Sequence, residues 1–361
     1  MKNSFGQSLT VTLFGESHGP CIGATLDGIA PGIKIDFDYI NHCLDLRRPY
    51  GKISTTRKEP DTFEIISGEY NGYTTGTPLT LIIRNTNTHS SDYRELQFSP
   101  RPGHADYTAQ CKYHGFQDPR GGGHFSGRIT APLVAVGALL RSALLNKGIK
   151  IGTHISYMCG VFDSAISSSS DLDILNNTLF PVLNESIADV MKKSIEKAAE
   201  NGDSVGGILE TFVYGLPSGV GEPFFDSIES IISHMLFSVP GIKGVEFGAG
   251  FSVANMLGSE CNDNFDIIDG EIVTTTNNNG GINGGISNGM PLIIRSAVKP
   301  TPSIFKPQQT VDLNEKCKKT LKIIGRHDPA IIHRVRAVVD SAIAIAIADL
   351  LTVRFGTDYL S

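Results

Sequence analysis

The segment GESHG, residues 15–19, matches the G-x-S-x-G pattern on which serine hydrolases present their nucleophile. Such a nucleophile needs a strand before the serine and a helix directly after it. Residues 9–14 alternate as a strand would, but Gly19 and Pro20 follow, and then a second strand-like run. We therefore expect Ser17 to be a hydrogen-bonding or turn residue, and His18 becomes the candidate for chemistry.

A second histidine-bearing stretch covers residues 99–131. It begins with a loop shaped by proline and glycine that carries Arg101 and His104. Three consecutive glycines follow, then His124, Ser126 and Arg128, directly before an apolar helix. Glycines that lead into a helix start suit an anion, because free backbone N–H groups and the helix dipole point there. Neither a Walker A loop nor a Rossmann glycine pattern is present.

Two more groups of residues could handle anions or protons. The sequence GRHDPA, residues 325–330, places Asp328 just before a long apolar helix, with Pro329 in its predicted first turn. Basic residues cluster within a dozen positions, where they indicate either a solvated loop or a phosphate or carboxylate site. These are Arg47, Arg48, Lys52, Arg57 and Lys58.

Composition limits the class of protein. The 361 residues are 40% hydrophobic and 19% charged, which is ordinary for a globular protein. A net charge of −6 argues against broad attraction to nucleic acid or membrane surfaces. The apolar runs at 133–140 and 342–348 are too short to span a bilayer, and the N-terminus lacks an apolar signal core, so a cytoplasmic protein is expected. Six scattered cysteines without a C-x-x-C pair predict neither a metal site nor a disulfide framework.

The remaining pattern predicts alternating strands and helices, hence an α/β (α+β) fold. Strands are expected at 9–14, 22–28 and within 69–85, and helices after Asp36 or Asp38, at 131–146 with Gly148 as its terminator, and at 187–201. Gly28 and Gly32 recur as Gly215 and Gly219 after similar strands. Chance or a duplication with halves around 1–150 and 190–361 could explain this, and we favour one domain over 1–361.

Taken together, the motifs resemble the chorismate synthase family. The likeness rests on FGESHG, RPGHADYT with KY, RGGG with S.R.TA, GGINGGISNG with KPTPS, and GRHDPA, from about Phe5 to Leu351. It implies a β–α sandwich with two pseudo-symmetric halves around a central helical layer. It also implies a shikimate-pathway phosphate lyase that converts 5-enolpyruvylshikimate 3-phosphate to chorismate. That 1,4-anti elimination requires reduced FMN without net redox change.

The resemblance assigns roles to three residues. His18 would donate a proton beside the leaving phosphate, His104 would stabilise the reduced flavin, and Asp328 would assist proton removal near flavin N5. Each role is general acid–base or charge stabilisation, which suits a side chain with a tuned pKa.

The resemblance also implies two sets of ligand contacts. FMN contacts carry over to His124, Phe125, Ser126, Gly284, Lys299, Pro300, Thr301, Pro302, Ser303 and Arg326. Cations for the substrate, or for the phosphate of NADPH in members that use it, are Arg47, Arg48, Lys52, Arg101 and Arg128. The family expectation is a homotetramer. The flavin could be reduced by NADPH or by an external flavin reductase, and the compact chain favours the external source.

Three departures from the family pattern stand out. His124 and Phe125 replace the usual Arg-Ser after the glycines, Lys52 replaces Arg, and Asp340 replaces Glu, where a helix–loop contact is expected to shift. Two other interpretations stay open on the sequence: a flavin-binding protein without activity, and a serine hydrolase that depends on Ser17. On composition alone, the Gly- and Asn-rich segment at 274–289 could be a mobile loop or a ligand contact, and the resemblance favours a flavin contact.

Overall fold

A computed structural model describes residues 2–55, 59–86, 98–323 and 327–361. Arg57, Lys58 and Arg326 lie outside these residues. In the described part, the strands are β1 (Ser4–Phe5), β2 (Thr10–Gly15), β3 (Cys21–Asp27), β4 (Phe63–Ser67), β5 (Glu69–Tyr70), β6 (Tyr73–Thr74), β7 (Leu79–Arg84), β8 (Lys150–Met158), β9 (Val161–Phe162), β10 (Gly207–Tyr214), β11 (Ile242–Phe247), β12 (Phe265–Ile268), β13 (Glu271–Thr274), β14 (Ile282–Asn283), β15 (Ile286–Ser287), β16 (Leu292–Val298), β17 (Gln308–Asp312) and β18 (Cys317–Leu321). The helices are α1 (Phe37–Arg47), α2 (Asp106–Tyr113), α3 (Thr130–Asn146), α4 (Ser169–Asn176), α5 (Glu185–Glu200), α6 (Ile228–Ser238), α7 (Gly258–Cys261) and α8 (Ile332–Phe355).

Two five-stranded antiparallel sheets enclose a layer of helices. One sheet has the order β1-β2-β3-β7-β4, and the other β9-β8-β10-β16-β11. Helix α3 packs against β3 and β7 of the first sheet and β8 of the second, and α8 packs against β8 and β10. Helices α1 and α6 complete the layer, and one continuous hydrophobic core runs through all of it. This arrangement confirms the predicted β–α sandwich with a central helical layer.

The two halves use glycine in the same way. Gly28 follows β3 and Gly215 follows β10, and each strand is the central one of its sheet. Both glycines have φ +80°, and a Cβ at either would overlap a backbone carbonyl oxygen. Gly32 and Gly219 also share positive φ, in open space. The correspondence supports the interpretation of an internal duplication, which stays a prediction.

Helices α3 and α8 are apolar on nearly every side because protein surrounds them. They cross where Gly137 faces Ser341, and a Cβ on Gly137 would overlap the Ser341 backbone. The helical stretch Gly127–Asn146 is 20 residues long with mean hydropathy 1.5, enough to cross a membrane by those measures, but 83% of that window is buried in the fold. This apolar stretch is longer than the run at 133–140 suggested, and its burial identifies a core helix.

The predicted helix ends are confirmed in two places and wrong in one. Asp36 caps α1 by accepting a hydrogen bond from the Tyr39 N–H (2.9 Å). Gly148 ends α3 with φ +78°, where only glycine is unstrained. Pro329 is not in the first turn of α8, which begins at Ile332. The Pro329 carbonyl instead accepts a hydrogen bond from Val205 N–H (2.9 Å), which holds the preceding loop in place.

Candidate active site

A cavity of about 940 Å³ opens where the N-terminal ends of α3 and α8 meet. The last turn of α6 and the N-terminal strands form its other walls. Eleven of the residues singled out in the sequence line it. They are Arg47, Arg48, His104, His124, Phe125, Ser126, Arg128, Lys299, Pro300, Pro302 and Asp328. Segments that are up to 281 positions apart in the chain therefore meet at one site, as the motifs predicted.

The glycine triplet separates the two predicted catalytic histidines. A Cβ on Gly121 would overlap the His18 imidazole, and one on Gly122 would lie 3.2 Å from His104 Cε1. The Ser17 N–H donates to the Gly123 carbonyl (3.1 Å), which ties the His18 turn to the triplet. All three glycines have positive φ. His104 lines the cavity, whereas His18 is buried behind Gly121 and does not.

The structure also removes the basis for a serine hydrolase. Ser17 is only 1% exposed, and no helix follows it before β3 begins at Cys21. A nucleophile must reach a substrate carbonyl at the surface of a pocket, and Ser17 does not line the cavity. This confirms the expectation that Ser17 is a turn residue.

His104 is held by an acid–base cluster within its own loop. Its Nδ1 lies 2.8 Å from Asp106 Oδ1. Arg101 donates to both oxygens of the same carboxylate, at 2.8 Å each. Burial alone would raise the pKa of Asp106, but the hydrogen bonds from Arg101 and His104 hold that pKa well below its usual range. The Arg101 guanidinium thus forms an ion pair with Asp106, and Arg101 does not line the cavity.

Asp328 is fixed from two sides at the start of α8. Its Oδ1 accepts a hydrogen bond from the Thr55 backbone N–H (2.9 Å), and its Oδ2 pairs with Arg334 Nη1 (2.6 Å). The Arg334 Nε donates to the Arg47 carbonyl (2.8 Å). The predicted proton-handling carboxylate is therefore clamped to the loop that carries the cationic cluster.

Arg47 and Arg128 both pair with the carboxylate of Asp61. Arg47 Nη2 pairs with Asp61 Oδ2 at 3.1 Å. Arg128 pairs with Asp61 through Nη1 and with Glu59 Oε2 at 3.1 Å. Asn85 Oδ1 also accepts from Arg128 Nε (3.1 Å). These acidic partners could not be predicted from the sequence, since ion pairs between residues 14, 67 and 69 positions apart leave no periodic pattern.

Arg47 has an unusual electrostatic environment. Burial, reinforced by the Arg334 and Arg48 guanidiniums, lowers the pKa of Arg47 to about 9 against opposing carboxylates. Its Nε is buried and has no hydrogen-bond partner among the residues that the structure describes. A buried donor that no described residue satisfies, close to other guanidiniums, suits an anionic ligand.

The segments predicted to contact flavin are partly assembled around the cavity. His124 Nδ1 lies 2.8 Å from the Gly15 carbonyl, which fixes the ring and makes Nδ1 the donor. Lys299 Nζ donates to the Gly103 carbonyl (2.6 Å) beside His104. A Cβ on Gly103 would lie 3.2 Å from Pro302. The Lys-Pro-Thr-Pro-Ser segment is thereby packed onto the His104 loop.

Besides Arg101, four other predicted binding residues in the described part of the chain do not line the cavity. Lys52 is exposed, Ser303 is buried, and the Thr301 carbonyl accepts from the Ser204 hydroxyl (2.7 Å). Gly284 lies in the turn between β14 and β15, whose Gly285 carbonyl accepts the N–H at the start of α6. The cavity meets α6 at its other end, roughly 15 Å away along an 11-residue helix.

Comparison with known proteins identifies the family. The profile of the chorismate synthase family matches residues 9–352. Chorismate synthase of Thermococcus kodakarensis is 44% identical over 346 residues, 96% of each chain. That of Dehalococcoides mccartyi strain BAV1 is 45% identical over 351 residues, 97% of this chain and 96% of its own. A crystal structure of chorismate synthase superposes with a TM-score of 0.77 at 28% identity, covering 98% of this chain and 94% of that one.

The chain belongs to the chorismate synthase family. Its function is accordingly that of a carbon–oxygen lyase of the shikimate pathway, which eliminates phosphate from 5-enolpyruvylshikimate 3-phosphate to form chorismate. Members of the chorismate synthase family use reduced FMN.

One departure from the chorismate synthase pattern has different consequences from those expected. Asp340 contacts a strand and two helices rather than a loop. It accepts from Thr153 Oγ1 (2.6 Å) and lies 3.4 and 3.5 Å from Arg141 and Arg336. All four groups are buried in the helical layer, away from the cavity. Asp340, which is one methylene shorter than the glutamate of the family pattern, therefore affects the stability of the helical layer.

Proposed function

We propose that the cavity binds reduced FMN together with 5-enolpyruvylshikimate 3-phosphate and that the elimination takes place there. The observation that carries this proposal is a single cavity whose lining combines many apolar side chains with a surplus of cations. A flat aromatic cofactor and a polyanionic substrate need both kinds of side chain.

The charged residues of the lining match the charge of the ligands. Among the described lining residues there are seven cations and three carboxylates. The cations are Lys2, Arg47, Arg48, Arg128, Lys243, Lys299 and Arg334, and the carboxylates are Glu59, Asp61 and Asp328. The surplus of four positive charges suits a substrate with one phosphate and two carboxylates. Concentrated cations also stabilise charge that develops on a departing phosphate.

The apolar residues of the lining match the flat part of the cofactor. They come from the central helices and the residues next to them and from β2 and β11, and Phe125, edge-on to Tyr113, also lines the cavity. The apolar residues are Val11, Leu13, Leu133, Met235, Val239, Ile242, Ile331, Val335 and Val338. When bound, reduced FMN supplies transient electron density to the substrate and a proton acceptor at N5. The Lys299 to Ser303 segment and His124 would hold its polar groups.

The protein's own residues would have the remaining roles in the reaction. His104, with Nδ1 on Asp106, turns its other edge toward Gly122 and the cavity, where it stabilises negative charge on the cofactor. Asp328, with fixed orientation, would assist the removal of the substrate proton near flavin N5. His18, which packs against Gly121 of the glycine triplet, would serve the leaving phosphate. Arg47, Arg48 and Arg128 orient the substrate.

The test is an anaerobic assay with 5-enolpyruvylshikimate 3-phosphate and photochemically reduced FMN, with chorismate and phosphate measured together. Equal appearance of both products, and none with oxidised FMN, is expected. Flavin binding without product would instead support a silent flavin-binding protein, and His124 and Phe125 would be replaced first by the family's Arg and Ser.

Several finer assignments rest on the sequence and on the family resemblance. We propose a cytoplasmic homotetramer whose flavin is reduced by an external reductase, with NADPH, bound near Arg47 and Lys52, as the alternative electron source. Adding NADPH alone to the anaerobic assay separates the two sources. Sedimentation equilibrium tests the tetramer.

A further inference from the structure

Asn85 connects two parts of the candidate site that are remote in the sequence. It is the first residue after β7, and its N–H donates to the Pro20 carbonyl (3.2 Å) at the start of β3. Strands β3 and β7 are paired, with Cys21 opposite Arg84. Sheet pairing therefore brings Asn85 beside the turn that carries His18.

The side-chain amide uses all of its hydrogen-bonding groups there. Its Nδ2 donates to the Glu16 carbonyl (3.0 Å) and to the Gly19 carbonyl (2.9 Å), which are the two ends of the His18 turn. Its Oδ1 accepts from Arg128 Nε (3.1 Å). One planar group thus holds a histidine-bearing turn and a cavity-lining guanidinium at a fixed separation.

We propose that Asn85 is a positioning residue for the elimination, which fixes the His18 turn relative to Arg128. This inference rests on the proposed function, in which Arg128 binds the anionic substrate and His18 serves the departing phosphate. A short amide is suited to the task because it donates to two carbonyls and accepts from an arginine without adding charge. Misplacement of a catalytic group by about 1 Å can cost on the order of 100-fold in rate.

The chain supplies a matched control. Asn176 also donates to a backbone carbonyl, that of Ile151 (3.0 Å), and accepts from an arginine, Arg141 (3.1 Å). None of these three residues lines the cavity. Replacing Asn176 removes the same kinds of hydrogen bond without disturbing the site.

The experiment compares Asn85→Ala and Asn176→Ala in the full-length protein, in the anaerobic assay with reduced FMN. We expect Asn85→Ala to lower kcat by roughly 10- to 100-fold through His18 and to raise KM for the substrate about threefold through Arg128. Asn176→Ala should change both by less than about twofold. Equal effects of the two substitutions would reduce Asn85 to a structural role and overturn the proposal.

A double-mutant cycle shows whether Asn85 acts through His18. In the His18→Ala background, Asn85→Ala should lower kcat by less than about threefold, because the group it positions is gone. A full multiplicative loss would contradict the inference. Asn85→Asp, which keeps the size but faces the Glu16 and Gly19 carbonyls with a carboxylate, is the second variant if Asn85→Ala does not fold.

A spectroscopic measurement keeps this inference distinct from the proposed function. With ¹⁵N-labelled histidine, the His18 imidazole signals are assigned by their loss in His18→Ala. We expect Asn85→Ala to shift them and Asn176→Ala to leave them in place. If Asn85→Ala shifts the His18 signals but the wild-type protein forms no chorismate, the proposed function is overturned and the positioning role of Asn85 stands. Unchanged signals would overturn the role of Asn85.

Discussion

Arg334 and Asp328 form an ion pair of 2.6 Å, and the second oxygen of the same carboxylate accepts the Thr55 N–H. Asp328 therefore has a fixed orientation at the mouth of the cavity, with one neighbour that stabilises its negative charge. A carboxylate held in this way can accept a proton in a defined direction, which is what removal of a substrate proton requires.

Replacing Asp328 with Asn keeps the shape and removes both the charge and the proton acceptor. We expect Asp328→Asn to lower kcat by about 100-fold or more, with a smaller change in KM. Steady-state chorismate formation with excess reduced FMN measures this. Asp173→Asn, which breaks the exposed pair with Lys150 (2.8 Å), is the control. A wild-type kcat in Asp328→Asn would exclude Asp328 from proton transfer.

The glycine triplet offers a test of the His18 position. Gly121 has φ +60°, and a Cβ there would overlap the His18 ring and lie 2.9 Å from Ser17 Oγ. Gly121→Ala should therefore displace His18 and lower kcat by more than about tenfold. Gly32→Ala, with φ +83° and open space around it, carries the backbone strain without the clash. Similar losses in the two variants would show that strain alone is responsible.

The affinity for the substrate should depend on Arg47. Its guanidinium lines the cavity, and its buried Nε has no hydrogen-bond partner among the described residues. We expect Arg47→Gln to raise KM by about tenfold, with a smaller change in kcat, because the substitution removes a cation that orients the anionic substrate. Steady-state chorismate formation at varied substrate concentration measures this, with Arg354→Gln, at an exposed position outside the cavity, as the control. An unchanged KM in Arg47→Gln would exclude Arg47 from substrate binding.

Acid stability should depend on His333. This side chain is fully buried on α8, with Nε2 2.8 Å from Ser54 Oγ and its ring near Tyr50 and Phe180. Burial, with a smaller effect of Arg334, lowers the pKa of His333 to about 3. The unfolded chain binds a proton below pH ~6.5 and the folded chain does not, so stability falls as the pH drops from 6.5 toward 3.

The magnitude follows from the proton that the unfolded state binds. Each pH unit below 6.5 should cost about 1.4 kcal/mol, or roughly 2 kcal/mol between pH 6.5 and 5. Urea midpoints of His333→Gln should fall less steeply with acid than those of the wild type, even though this variant is less stable at pH 7.5. His234→Gln, at an exposed position, should keep the wild-type slope. Parallel slopes for all three proteins would contradict the assignment.

Local signals in the sequence predicted local structure well. Asp36 and Gly148 mark helix ends because capping and positive φ depend only on neighbouring residues. The motifs also predicted that three loops meet, since each brought glycine together with a titratable residue. The sequence did not predict Asp61 or Asn85, because their partners are chosen by sheet pairing. Nor did it show that His18 lies behind Gly121 rather than in the cavity wall.

Helices α3 and α8 approach each other closely where Gly137 meets Ser341. The separation of the helices at this crossing therefore affects the distance between their N-terminal ends. Each helix carries cavity residues at its N-terminal end, roughly 10 Å from the crossing on α3 and 14 Å on α8. An added methyl group at the crossing, as in Gly137→Ala, would push the two helices apart and increase the distance between Arg128 and Asp328. Gly137 does not line the cavity, but its lack of a side chain thereby sets the width of the cavity.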